Sequence, residues 1–339
     1  MQPAKAKDKA KINVKVNDAN SRGRRKPMLL ATLSTIVLSA VRSPRRASAV
    51  LASFVLLLSA PLYSQANPDV SASELLRRAV NGELKAQSED HSHWIYRVKS
   101  TVAGREEVKL VVESKDGELD RLESVNGSPI TAEQELREQQ RIQNLVHSPE
   151  RQKKRQRAQS EDAEQTERMF KVLPDALTVR YGERNGDLVQ LLFEPNPHFH
   201  AWSREAIVFH EMEGQIWVNP RENRLAEIQG RLVRTVKFAG GLLGHLDKGG
   251  EFNVRQAEVA PGHWEVTMLH VNMHGKILFL KTISEQQHEV RTDYRQVPSD
   301  LTLAQAAEEL VKESALKSAQ GGEHRAAKRG DVVIAVRKH

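Results

Sequence analysis

The chain has 339 residues, 28% of them charged, a formal net charge of +7 and no cysteine, so disulfides, thiolate metal sites, a cysteine nucleophile and an acylated lipobox cysteine are all excluded. Residues 1 to 66 hold twelve of the 51 Lys and Arg and two of the 44 Asp and Glu, which leaves 39 basic and 42 acidic side chains, a net of −3, for the remainder. Nucleic-acid binding needs a retained positive field, and no nucleic-acid partner is expected.

Residues 1 to 27 are rich in Lys and Arg and poor in large apolar side chains, the composition of a disordered basic leader; Met28 is an alternative start. Two apolar runs follow, Met28 to Val41 and Ala47 to Ala60, separated by Arg42, Arg45 and Arg46. Each is shorter than the roughly 20 residues that cross a bilayer. The second ends in Ser64-Gln65-Ala66, with small residues at the two positions a signal peptidase reads. Cleavage after Ala66 and a periplasmic location are expected, with an uncleaved anchor on the inner membrane as the alternative. Arg45-Arg46 follows Pro44 and lacks the usual surroundings of a twin-arginine signal.

Ser71 to Gln87 reads as a short amphipathic helix, with a serine cap and Leu75, Leu76, Ala79 and Val80 on one face. His93 to Thr101 alternates Trp94, Tyr96 and Val98 against Arg97 and Lys99, the period of a half-buried strand. Arg105 to Glu113 and Glu118 to Val125 continue the meander through turns at Lys115-Asp116-Gly117 and Asn126-Gly127. From Thr131 to Phe170 the composition turns to Glu, Gln, Arg and Lys, a helical insert that Pro149 must break in two. Its segment RQKKRQRAQ from Arg151 reads as a solvated face or, more sharply, as a strip for anionic headgroups, so peripheral membrane contact is a further expectation.

Beyond Pro174 strands are expected at 176–181, 187–193, 214–218, 224–229, 232–238, 251–259, 264–271, 276–282 and 289–296, with turns at Asn219-Pro220, Pro261-Gly262 and His274-Gly275. Such close spacing without long crossovers predicts a meandering antiparallel sheet. Pro298-Ser299-Asp300 stops the strands, and a C-terminal amphipathic helix over 301–320 carries the stripe Leu303, Ala306, Ala307, Leu310 and Val311. Residues 321–339 read as a basic, disordered tail.

Catalytic and cofactor motifs are missing. His210-Glu211-Met212-Glu213-Gly214 lacks the second histidine of a metalloprotease, and the thirteen histidines are scattered, so no metal is expected. The glycine-rich stretch Gly240 to Gly250 has no Ser or Thr after its lysine as a phosphate loop would, and no Gly-x-Ser-x-Gly elbow occurs. No enzyme and no cofactor are expected. The remaining signal is apolar: the strands around Val266 to Leu269 and Ile277 to Leu280 present apolar groups on both faces, which a concave sheet closed by helices would cover. An acyl chain could lie in the hollow, lined by Trp94, Phe193, Trp217, Phe238, Leu242, Leu243, Phe252, Trp264 and Phe279.

The stretch from Leu192 to Pro298 resembles the periplasmic outer-membrane lipoprotein-sorting superfamily of LolA, LolB and RseB. The residues that carry the resemblance are Phe193-Glu194-Pro195-Asn196-Pro197, Gly214-Gln215-Ile216-Trp217-Val218, Arg224-Leu225-Ala226, Phe238 to Gly250 and Pro261-Gly262-His263-Trp264-Glu265. They cover about a third of the chain and are structural turns and strand cores. The resemblance implies an α+β, mainly β domain over 67–300, with the charged insert at 131–170: an open antiparallel half-barrel of about eleven strands with helices covering the concave face. It further implies a non-catalytic carrier or chaperone whose partner is an acyl chain or a lipoprotein, in outer-membrane biogenesis. The charged insert and basic tail depart from the carrier pattern, and suggest instead an envelope sensor or scaffold that binds a protein partner through the insert.

Overall fold

The first helix among the described residues is set by its cap. Ser71 accepts a hydrogen bond from the Glu74 amide and opens α1 (Ala72–Glu89), whose buried stripe of Ala72, Leu75, Leu76, Ala79 and Val80 includes the four predicted residues. In this computed structural model the described residues are 70–102, 104–277 and 281–316; the leader, Phe279 and the tail at 321–339 lie outside them.

Three strands follow, β1 (His93–Val102), β2 (Arg105–Ser114) and β3 (Gly117–Val125), then a two-residue β4 (Ser128–Pro129). Asn126 and Gly127, at φ of 49° and 76°, make the tight turn between β3 and β4. The insert forms α2 (Ala132–Val146) and α3 (Pro149–Ala176), split where Pro149 was expected to split it. α3 runs six residues past the predicted end of the insert, because Met169, Phe170, Leu173 and Ala176 make a buried stripe that outweighs the hydrogen bond lost at Pro174.

The second half comprises β5 (Leu177–Asn185), β6 (Leu188–Pro195), a short α4 (Arg204–Phe209), β7 (Met212–Asn219), β8 (Arg224–Leu232), β9 (Val236–Phe238), β10 (Gly244–Leu246), β11 (Glu251–Ala260), β12 (His263–Ile277) and β13 (Lys281–Val297). A last helix, α5, covers 303–316. The sequence did not reveal α4, which is only six residues long. The expected turn at His274-Gly275 is a continuous strand instead. Gly275 pairs with Leu246 of β10, and a Cβ there would collide with the His245 carbonyl, so the glycine admits a crossing strand rather than a bend.

All strand pairs are antiparallel, in the order β4-β3-β2-β1-β13-β12-β11-β8-β7-β6-β5, with β9 and β10 attached to β12. The sheet is open, with β4 and β5 at its edges and β13 in the middle, pairing Lys99 with Val290 and Val98 with Arg291. Paired residues share a face, so the register assigns sides. Leu269, Val254, Ile228, Ile216 and Leu191 point to an inner face packed by α1, α4 and the second half of α3. Ile95, Val112 and Leu119 point to the opposite, outer face, where α2 and α5 cover them.

Candidate functional site

The inner face is filled. Leu76 and Phe170 from the helices pack against Leu191, Ile216, Phe252 and Val254 from the strands, all buried, in one continuous core. α1 is held in it by a polar clasp. The Glu83 carboxylate, 2% exposed, accepts from Arg224 Nε at 2.9 Å and Nη2 at 3.2 Å, from the Leu225 amide at 2.8 Å and from Gln256 Nε2 at 2.8 Å. This is a buried ion pair with both carboxylate oxygens in use. Gly82 makes the seat possible, since a Cβ there would collide with the Asn223 carbonyl.

The nine residues expected to line an acyl hollow divide accordingly. Phe193, Phe238 and Phe252 are buried in the main core, and Leu243 packs half-buried against it. Trp94 is buried in a separate small cluster with Tyr96 and Val111. Trp217 lies on the outer face opposite Glu227 and Gln190, because its neighbours Ile216 and Val218 take the inner one. Leu242 is 69% exposed on the glycine-rich loop, and Trp264 is half-buried at the strand ends, its Nε1 donating to Glu222 at 2.8 Å under the Arg224 guanidinium. Those that meet on the inner face do so as packing partners of α1, α3 and α4.

Around Trp94 the inner face becomes polar. The Tyr96 and Tyr294 rings stack at 4.9 Å with the Arg291 guanidinium 5.7 Å from the Tyr96 ring centre, and Arg291 is paired with Glu289. Burial, with Glu118 nearby, pushes the Tyr96 hydroxyl well above its ordinary range, and burial likewise raises Tyr294. Arg291 resists its burial because Glu289 holds it charged. Neither tyrosine is poised for acid–base work at neutral pH.

Ser92, His263 and Asp90 also meet here. Ser92 Oγ and Asp90 Oδ2 lie 3.4 Å and 3.2 Å from the same ring nitrogen, Nδ1 of His263, while Ser92 Oγ accepts from the Trp94 indole at 3.0 Å. A nucleophilic relay needs the serine on one ring nitrogen and the carboxylate on the other. This arrangement ties strand ends together. Among the described residues no group of three or more His, Asp or Glu side chains is placed to hold a metal ion.

On the outer face, β5 to β8 carry a groove of about 490 Å³ with Thr178, Arg180, Glu194, Gln215, Gln229 and Arg231 on its walls. Gln215 and Gln229 on these walls continue an amide ladder from Gln190, at 2.6 Å and 2.9 Å. Of the nine expected residues only Phe193 touches this groove. It is polar and open, unlike an acyl site.

The other outer feature is the layer of α2 and α5. Thr131 and Gln134 form a capping box at the start of α2, which the sequence held in plain view. Arg121 joins the two helices to the sheet, pairing with Glu135 and donating to the Leu310 carbonyl at 3.5 Å. Leu303, Ala306, Ala307 and Leu310 are buried as expected, but Val311 is 56% exposed, one residue off the stripe. Leu136 on α2 is 60% exposed and Leu316 on α5 is 50% exposed. Three of the six large apolar side chains exposed among the described residues thus stand on these two helices, whose inner stripes are already packed. Sequence periodicity flagged only Val311, as core, since Leu136 is a lone leucine in a charged run.

No helix among the described residues is long and apolar enough to cross a membrane. No protein-family model matches the chain, and neither curated proteins nor solved structures yielded a match.

Proposed function

We propose that the chain is a non-catalytic protein of the cell envelope that acts as a sensor or scaffold, binding a protein partner through the outer side of the α2 and α5 layer. The single observation that carries this reading is the solvent-facing trio Leu136, Val311 and Leu316 on helices with no remaining packing need. Apolar anchors rimmed by charge are what protein interfaces use. Export rests on the leader and its Ser64-Gln65-Ala66 end. A photo-crosslinking residue at Leu136 or Val311 is expected to give one discrete adduct in envelope extracts, and the same residue at exposed Lys248 none. Equal, smeared labelling at all three positions would sink the reading.

A lipid or lipoprotein carrier is the second reading, favoured by the open sheet with its apolar inner face and helical cover. Because α1 occupies that face, an acyl chain enters only if α1 leaves and the Glu83 clasp opens. Methylenes would then replace the α1 leucines at about 0.8 kcal/mol per CH₂. Mass spectrometry of solvent extracts from the purified chain separates the readings: stoichiometric lipid supports carriage, and none supports the scaffold.

A further inference from the structure

The head of α3 breaks the charge pattern that the other helical segments keep. In α2 and the second half of α3, cations sit four residues after acids, as in Arg137 with Glu133, Arg168 with Glu164 and Lys171 with Glu167. At 151–157 the order is Arg-Gln-Lys-Lys-Arg-Gln-Arg. Arg151 faces Lys154 and Arg155, and Lys153 and Lys154 face Arg157, at helical spacings where like charges repel. Arg151, Lys153, Lys154 and Arg157 are exposed and none has an ion pair among the described residues. Arg151 also stands in the first turn, at the positive end of the helix dipole. Arg155, tucked inward, has its charge disfavoured by burial despite Asp120 and Glu118 nearby. Glu150 and Glu161 stand four residues from Lys154 and Arg157, yet neither makes an ion pair with them among the described residues, so the repulsion within the strip is left unanswered, and such local conflicts mark functional positions.

We propose that this strip docks the protein against an anionic phospholipid surface. The partner is chosen by what the strip lacks. Between Glu150 and Arg157 there is no aromatic or large aliphatic side chain, so the anchors a protein interface requires are missing. Headgroup attraction needs only positive charge close to the surface. Single-stranded nucleic acid would want aromatic platforms, and the net charge of −3 beyond residue 66 opposes a polyanion that must be wrapped. A bilayer touched along one helix avoids the acidic remainder. The strip is separate from the α2 and α5 surface and does not depend on the partner proposed for it.

The cysteine-free sequence allows a single label. The full chain carrying Gln156→Cys with a small fluorophore is mixed with vesicles of phosphatidylglycerol and phosphatidylcholine that hold nitroxide-headgroup lipids, whose quenching acts only at contact range. A second label, at Lys248→Cys, serves as reference, so that attachment by the leader alone does not count. The label at 156 is expected to be quenched on anionic vesicles, not on pure phosphatidylcholine, and to recover as salt rises from about 0.05 M to about 0.5 M. At about 1 kcal/mol per Lys or Arg near such a surface, changing Arg151, Lys153, Lys154 and Arg157 together to Gln should weaken contact several hundredfold. That variant should melt no lower than wild type, because it removes repulsion and no packing. Quenching that is absent, equal on neutral vesicles, or unchanged in the fourfold variant overturns the proposal.

Discussion

Glu83 is the residue on which the seat of α1 depends. It binds Arg224, the Leu225 amide and Gln256 at once, so Glu83→Ala leaves a nearly buried guanidinium without its counter-charge. A loss of about 3–5 kcal/mol is expected in urea denaturation, against less for Glu83→Gln, which keeps hydrogen-bonding capacity. Glu138 offers a pH test. Burial would raise its carboxyl, but hydrogen bonding and charge from Arg141, with the Leu122 amide, outweigh that and hold it below the ordinary value of 4.5. A depressed folded-state pKa adds stability that is complete above the unfolded value and disappears as pH falls through the folded one. The stability gap between wild type and Glu138→Gln should therefore be constant near neutrality and narrow below about pH 4.5. A gap that widens in acid would contradict this assignment.

At the level of elements, the edges of the sheet are built to resist pairing with a second sheet. β4 is two residues long and ends in Pro129, and β5 carries a register irregularity between Tyr181 and Arg184, with Gly182, Arg180 and Arg184 along it. Short strands, bulges and edge cations all discourage a second sheet from pairing. Arg180→Val with Arg184→Val is expected to elute as larger species than the wild type in size-exclusion chromatography while leaving the circular dichroism of the freshly purified protein unchanged. Most of these elements were legible in the sequence. Ser71 with Leu75, Leu76, Ala79 and Val80 declared α1, Pro149 split the insert, and alternation around Trp94 declared β1. Glycine misled at Gly275, where a residue that looks like a turn makes room for β10. The binding candidates were less legible, because large aromatics announce burial without saying against what. Trp217 sits one position out of phase with the inner face, and the core that meets Phe252 includes a helix 170 residues earlier in the chain.

For the whole molecule, the decisive feature is where β13 lies. It pairs β12 on one side and β1 on the other, joining a meander that begins at His93 to one that ends with Ile277. Truncation after residue 277 removes the central strand and α5 together, and such a chain is expected to show no cooperative thermal transition, whereas truncation after residue 316 should keep it. A retained transition in the shorter chain would mean that the two halves fold independently. Because the keystone strand follows both meanders in the sequence, a growing polypeptide holds two unmatched half-sheets until residue 297 has been added. Contacts so distant in sequence close slowly. Until β13 arrives, the free edges of β1 and β12 can pair with foreign strands, so the molecule is most open to aggregation just before it locks.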